Sequence, residues 1–348
     1  MLLFIDSFDH YSLATMSSKY EILGTGAGAS ITTGRFGNGF RIAGGNIGTN
    51  HKRHRFTTGT PTTIITGIAL RFGSGHNTTS HPVVQWIESS PSIVGHIEMR
   101  LNGANQLFFT RGGTTIGTVS KTLTDDIWYY VEIKLTIHDS TGALEVRIDE
   151  AVELSLTGLD TKNGGTGYID IIGMGTAGGT FSESYEVDYD DLYVLDTTGS
   201  TNNDYLGDVH IAAIFPDGNG TTSNLVGSDG NSTDNYLLVD ETSAPNGDTD
   251  YVQSNVVGDK DTYPFQDVSF TTGDIYGLQI NMYTRKTDAG VRQIASIARL
   301  SSTEVDGPNN VQSTSYIYYM DIREEKPGGG VWTATDINNA EFGAKVTA

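Results

Sequence analysis

The sequence predicts an all-β protein made of two consecutive β-sandwich domains. Three observations carry this. Short apolar or alternating runs recur along the chain, at residues 64–72, 83–88, 93–101, 107–110, 128–137, 143–148, 168–174 and 185–195, then 209–215, 236–239, 275–283, 291–300 and 315–322. Such runs, separated by turn residues, are the pattern of sandwich strands. Helical periodicity, with apolar residues at i, i+3, i+4 and i+7, is sustained nowhere. The pairs Asn38-Gly39, Asn102-Gly103, Asp217-Gly218, Asn246-Gly247 and Asp306-Gly307 supply residues that tolerate positive φ between strands.

Composition narrows the function classes. At roughly 100–200 residues per domain, 348 residues make about two. The 42 acids against 21 bases leave a net charge of −21, which disfavours a nucleic-acid partner and leaves room for cation sites between acidic loops. No Cys is present, so disulfides and Cys-based zinc sites are excluded. No apolar run approaches the length of a membrane span. The N-terminus, MLLFIDSFDH, has no basic segment and its apolar stretch ends at Asp6, so no signal peptide is expected. With 17 Tyr and 13 Phe the chain has enough apolar bulk for a core.

Residues 128–137, WYYVEIKLTI, alternate most clearly. Trp128, Tyr130, Glu132, Lys134 and Thr136 share one face; Tyr129, Val131, Ile133, Leu135 and Ile137 share the other, which should face a core. His138-Asp139-Ser140-Thr141-Gly142 then turns the chain into a return strand with Leu144, Val146 and Ile148 on one side. The small polar run at 199–203 marks a linker, giving domains 1–198 and 204–348. Residues 216–235 and 240–263 read as long surface loops. Thr124-Asp125-Asp126-Ile127-Trp128 is echoed by Thr272-Gly273-Asp274-Ile275-Tyr276. Each is followed by a strand, a turn ending at Gly142 or Gly290 and a return strand. Either the halves are duplicated sandwiches or two hairpins share a common texture.

Four pieces of the first domain, in order, resemble the concanavalin A-like, laminin-G-type jelly roll: Gly34–Ile42 (GRFGNGFRI), Asp126–Ile133 (DIWYYVEI), the hairpin ending at Glu150, and Val187–Val194 (VDYDDLYV). The passage from Tyr185 through Gly218, with residues 236–241, 250–254, 284–290 and 331–334, resembles tailed-bacteriophage virion proteins in which such a domain precedes a second β domain. The resemblance implies a minor tail, tail-fibre or head-decoration protein, and fold alone does not fix function.

Several groups of residues suggest chemistry. Alternation puts Glu186, Asp188 and Asp190 on one strand face, as the paired carboxylates of a jelly-roll glycosidase require, but the acid position holds Asp190 in place of Glu. The competing reading is a solvent-facing acidic strand side with Val187, Tyr189 and Leu192 packed inward. No catalytic residue is assigned. Asp188, Asp190 and Asp191, with Asp196, are candidate ligands of a structural Ca²⁺, as are the loop acids Asp217, Asp229, Asp234, Asp240, Asp248 and Asp250, although EF-hand spacing is not met. No other cofactor is expected. His51-Lys52-Arg53-His54-Arg55, the one dense basic run, suits a metal pair, an anion site or an edge-strand cap. His76 and His81 show no ligand spacing, and Asn77-Thr78-Thr79 and Asn231-Ser232-Thr233 match glycosylation acceptors. Tyr205, Tyr251, Tyr263 and Phe265 are candidates for stacking on a sugar or for packing loops onto sheets. Tyr316, Tyr318 and Tyr319 suit an interface or core.

The expectation drawn from the sequence is a non-enzymatic structural component of a tailed-phage virion, located in the particle. It would associate with itself and with other virion proteins, without nucleic acid or membrane. The alternative is a lectin-like module that binds host-surface glycan; a glycosidase ranks third.

Overall fold

The computed structural model describes residues 1–22, 28–44, 52–57, 59–74, 81–175, 185–270 and 273–348. They form two compact units, Met1–Asp9 with Tyr20–Ala212, and His10–Lys19 with Ala213–Ala348. The all-β class holds, and each unit is a β-sandwich.

The strands of the first unit are β1 (Leu2–Asp6), β2 (Glu21–Ile22), β3 (Ala29–Thr33), β4 (Asn38–Ala43), β5 (Lys52–Arg55), β6 (Thr63–Phe72), β7 (His81–Glu88), β8 (Val94–Leu101), β9 (Leu107–Arg111), β10 (Thr114–Thr118), β11 (Trp128–Thr136), β12 (Gly142–Ile148), β13 (Ala151–Leu159), β14 (Ile171–Met174) and β15 (Glu186–Asp196). One sheet has the order β13-β12-β11-β6-β15-β4-β3, with β1 also on β15; the other runs β10-β9-β8-β7-β14-β5-β2. This is the jelly-roll sandwich. As the alternation predicted, Val131, Ile133 and Leu135 are fully buried opposite Ile148, Val146 and Leu144. The two sheets are tied through the core. Trp86 Nε1 donates to Thr66 Oγ1 at 3.1 Å, and the buried Tyr189 and Tyr185 hydroxyls donate to the carbonyls of Val83 and Pro82. Buried aromatic hydroxyls and indoles need such partners.

The second unit contains β16 (Val226–Gly227), β17 (Val252–Gln253), β18 (Lys260–Pro264), β19 (Leu278–Thr284), β20 (Gln293–Leu300), β21 (Thr303–Asp306), β22 (Asn310–Val311), β23 (Ile317–Arg323) and β24 (Ala340–Val346). A sheet of order β18-β24-β20-β21, with β22 on β20, faces a β19–β23 ribbon. Ala298, Trp332, Ile337, Ala340 and Phe342 form the core between them, closed by Leu278 and Ile280 of the ribbon. Residues 10–19 belong here: the Tyr318 amide donates to the Ser18 carbonyl and the Tyr318 hydroxyl to that of His10, both at 3.2 Å.

Four local expectations differ from the structure. The division falls at Ala212 in place of 199–203, because residues 204–211 are held on the first unit by side-chain acceptors described below. For the same reason residues 209–215 pair with no strand: the Ile211 amide donates to a carboxylate instead. Residues 236–239 lie largely in a 3-10 helix, Asn235–Leu238. The second hairpin of the supposed repeat does not form, since β19 pairs with β23, and β20 with β24.

Candidate functional site

The outer face of the eight-stranded sheet carries the acidic strand singled out from sequence. Val187, Tyr189 and Leu192 point inward as expected, but Asp188, Asp190 and Asp191 are also fully buried, so this side does not face solvent. Arg41 and Arg71 both clasp Asp188: Arg41 Nε and Nη2 lie 2.6 and 2.9 Å from its two oxygens, and Arg71 Nε lies 2.8 Å from Oδ2. Arg41 also pairs with Glu186 at 2.9 Å. Asp190 Oδ2 accepts the Arg35 and Phe36 amides at 2.7 and 3.0 Å. A bulge in β15 places Asp191 at φ 49°, where Oδ1 accepts the Ile211 amide at 2.7 Å and Oδ2 faces Arg35 Nη1 at 3.5 Å. Burial pushes the Asp190 carboxyl up to about 7 and that of Asp191 up to about 8, the latter helped by its neighbour's charge. The three carboxylates are thus answered separately, Asp188 by guanidinium donors, Asp190 by amides, and Asp191 by an amide on Oδ1 while its Oδ2 has no hydrogen bond, and they do not group to hold a metal. Asp196 likewise accepts from the N-terminal amine and Thr198.

Residues 204–211 lie across this same face. Tyr205 sits under the Arg147 guanidinium, 3.7 Å from ring centre, with its hydroxyl buried beside the Glu145 carboxylate. The Leu206 amide donates to Tyr193 Oη, the Gly207 amide to Glu132 Oε1 at 2.9 Å, and Arg35 Nη2 to Asp208 Oδ2 at 2.7 Å. The face is therefore covered where these residues cross it.

The seven-stranded sheet presents a different surface. Its register aligns Thr110, Glu98, Gln85, Gly173, Arg53 and Glu21 in one row across β9, β8, β7, β14, β5 and β2. At about 4.8 Å per strand the row spans roughly 24 Å. Inward neighbours confirm the facing: Trp86, Ile97, Met99 and Phe109 are buried between the sheets. Gln85 Nε2 donates to Glu98 Oε1 at 3.0 Å while Arg100 Nη1 donates to Glu98 Oε2 at 2.5 Å, so carboxylate and amide hold one another oriented. Phe108 pairs with Arg100 on the same face. A Cβ on Gly173 would meet only ordinary contacts with Arg53, Gln85 and Ile87, so the glycine leaves a shallow gap mid-row. Arg53 is nearly buried; burial lowers its pKa, against the pull of Glu21, and its Nε has no partner.

At one end of the row lies a cavity of about 170 Å³ bordered by Gln85, His96, Glu98, Thr110, Gly112 and Asn163. Gly112, at φ 53° in the β9–β10 turn, is needed there because a Cβ would press 2.7 Å from Asn163 Oδ1. The fully buried His96 ring accepts the Asn163 amide on Nδ1 at 3.2 Å and donates from Nε2 to Glu88 at 3.1 Å. Burial lowers the His96 pKa in spite of Glu88, consistent with this neutral tautomer. Burial pushes the Glu88 carboxyl up, but the Thr166 and Gly167 amides, the Thr166 hydroxyl and His96 outweigh it and hold it at about 2. This cluster fixes the 163–168 loop beside the cavity.

Other sequence candidates fall as follows. Lys52, Arg53 and His54 are buried in an internal strand, with His54 stacked 4.1 Å from Phe4, so the basic run is no edge cap. His51, His76 and Asn77-Thr78-Thr79 lie outside the described residues, as does the side chain of His81. Tyr263 donates to Asp261, and Phe265 packs edge-on to Phe342; both hold the second unit together. Tyr251 is half-buried. Tyr318 is buried in β23, and Tyr316 stacks on Tyr283 at 4.7 Å. Among the described residues no three His, Asp or Glu side chains group to hold a metal. Sequence reasoning missed the row; its one local signal was Gly173 inside an apolar strand.

No protein-family model matches the chain, and no curated protein does. Solved structures similar to it include the alginate lyase Aly36B, at 12% identity and TM-score 0.40 over 55% of this chain and 96% of that one. The alginate lyase vAL-1 from Chlorella virus is 10% identical with TM-score 0.37, over 48% and 88%. A GH131 β-glucanase catalytic domain from Podospora anserina is 14% identical with TM-score 0.36, over 54% and 92%. The likeness is one of fold. The expected function as a non-enzymatic structural component of a virion is corrected here: the solved structures similar to the chain are named as alginate lyases and a β-glucanase. The passages that carried that resemblance, residues 185–218, 236–241, 250–254, 284–290 and 331–334, hold no catalytic signature and name no function.

Proposed function

We propose that the first unit binds an extended polysaccharide along the outer face of its seven-stranded sheet. The aligned row from Thr110 to Glu21 carries this reading. Sugar recognition needs polar groups already oriented and an apolar surface beside them. Gln85, Glu98 and Arg100 supply the first, Phe108 the second, and Gly173 leaves space for a ring to approach the sheet. Residues 204–211 cross the opposite face, which favours this one as the binding surface.

Affinity electrophoresis of the whole chain through a panel of neutral and acidic polysaccharides tests it. Retardation by at least one polymer is expected, weakened about tenfold in Gln85→Ala and Glu98→Ala with unchanged melting temperature, the loss of one to two ligand hydrogen bonds. Absence of retardation by every polymer, or variants that bind like the parent, overturns it. Assaying the same mixtures for reducing ends and unsaturated products separates binding from turnover; sustained product release would make the site catalytic.

A further inference from the structure

We propose that the cavity at the end of the row seats the terminal sugar unit of a polysaccharide, so that the first unit holds the polymer by a chain end. The inference rests on the polysaccharide-binding reading above and adds which part of the polymer is recognised. The cavity shares Gln85, Glu98 and Thr110 with the row, and its other borders include Gly95 of β8, the β9–β10 turn at Gly112-Gly113 and Asn163. A chain that follows the row therefore enters the cavity and meets a wall. The wall is held in place: Asn163 Nδ2 donates to the Gly95 carbonyl at 3.0 Å, and the Asn163 backbone amide donates to His96 Nδ1 at 3.2 Å. At about 170 Å³ the cavity lies well below the roughly 300–1,000 Å³ of pockets that enclose a drug-sized ligand, so it takes one ring and not a longer segment.

Two observations point to a ligand there. Thr110 is only 5% exposed, and among the described residues its hydroxyl makes no hydrogen bond, so a nearly buried donor and acceptor borders the cavity without a protein partner. Glu98 and Gln85, already oriented by each other, stand beside it and complete the mix of donors and acceptors that adjacent sugar hydroxyls need. Gly95 is the second observation. A glycine inside a strand weakens it and marks a bulge or the close approach of a ligand or backbone. Gly112 and Gly113 are required by their turn, at φ 53° and 84°. At Gly95 the strand does bulge, with His96 as the extra residue between the Trp86–Ile97 and Ile87–Gly95 pairs, but Gly95 itself is not in the left-handed region. A Cβ there would meet nothing within 4 Å. Neither backbone conformation nor packing therefore asks for glycine at this position; what the missing side chain keeps open is the cavity.

The test is calorimetric titration of the whole chain with mannan, xylan, laminarin, polygalacturonate and alginate, each intact and after partial acid hydrolysis. Every cut creates new ends, so shortening a bound polymer about tenfold should lower the mass concentration at half-saturation about tenfold. The fragments are kept longer than the row, roughly 24 Å, so that contacts along it are unchanged. Gly95→Phe, which fills the cavity, should weaken binding at least tenfold, with a melting temperature at or above the parent's, and the binding that remains should no longer respond to shortening. Thr110→Val, which removes one hydroxyl, should weaken binding about three- to tenfold and decides the matter if Gly95→Phe folds poorly. Half-saturation that does not move on shortening, or folded variants that bind like the parent, overturns the subsite and leaves the row standing. Failure of the parent to bind any of these polymers overturns both readings.

Discussion

Tyr193 faces Gly67 directly across the β15–β6 pair, and its ring fills the space that a Cβ on Gly67 would need. The ring lies flat over β6 so that its hydroxyl reaches Glu132 at 2.5 Å and accepts the Leu206 amide. Gly67→Ala should therefore displace the ring and lower stability by about 1–3 kcal/mol, the usual cost of overpacking. Urea denaturation followed by tyrosine fluorescence measures this; a midpoint equal to the parent's would show that the ring has room to move.

Asp190 and Asp191 predict the alkaline behaviour of the first unit. Their carboxyls titrate near 7 and 8 in the folded chain, against about 3.9 when unfolded, so between these values the folded state holds more protons. Stability from this pair is fully present below about pH 4 and is lost as pH rises through 8. Arg35 faces the pair and keeps its charge throughout that window. Asp191→Asn should raise the melting temperature at pH 8.5 and leave it nearly unchanged at pH 5. Equal shifts at both pH values would count against the account.

Glu88 acts in the opposite direction. Its folded pKa is depressed to about 2, so its contribution is present above the unfolded value of about 4.3 and is lost as pH falls toward 2. Glu88→Gln keeps the shape but loses the charge-assisted bonds from Thr166, Gly167 and His96, at a cost of about 2–3 kcal/mol at neutral pH. Denaturant titrations at pH 7 and pH 2.5 should show that gap shrinking in acid.

Asp188 is held by two arginines that would repel each other without it. Asp188→Asn is expected to cost about 2–3 kcal/mol, less than a deeply buried pair because both guanidiniums are partly exposed. High salt should recover part of the loss, through screening of the residual Arg41–Arg71 repulsion. A salt-independent deficit would assign the effect to packing.

Much of the sandwich was legible locally. Period-2 alternation in β11 named its core face residue by residue, because burial on one side of a strand leaves its mark within ten residues. The acidic strand β15 was placed correctly but read as solvated: the sequence shows charges, and what buries them, Arg41, Arg71 and residues 204–211, comes from distant parts of the chain. The basic run at β5 misled for a related reason. Alternation sends His54 inward onto Phe4 and Arg53 outward, and no composition rule separates those fates. The row from Thr110 to Glu21 was illegible altogether, since its six members are brought into line only by inter-strand register.

Because residues 10–19 complete the second unit, neither half of this protein is contiguous in sequence. The C-terminal part cannot finish assembling without a piece that lies ahead of most of the first sandwich in the chain. A gene fusion or proteolytic cut near residue 200 would yield a fragment lacking the backbone partners of Tyr318, so expression as separate modules requires a circular rearrangement that returns that piece to its place.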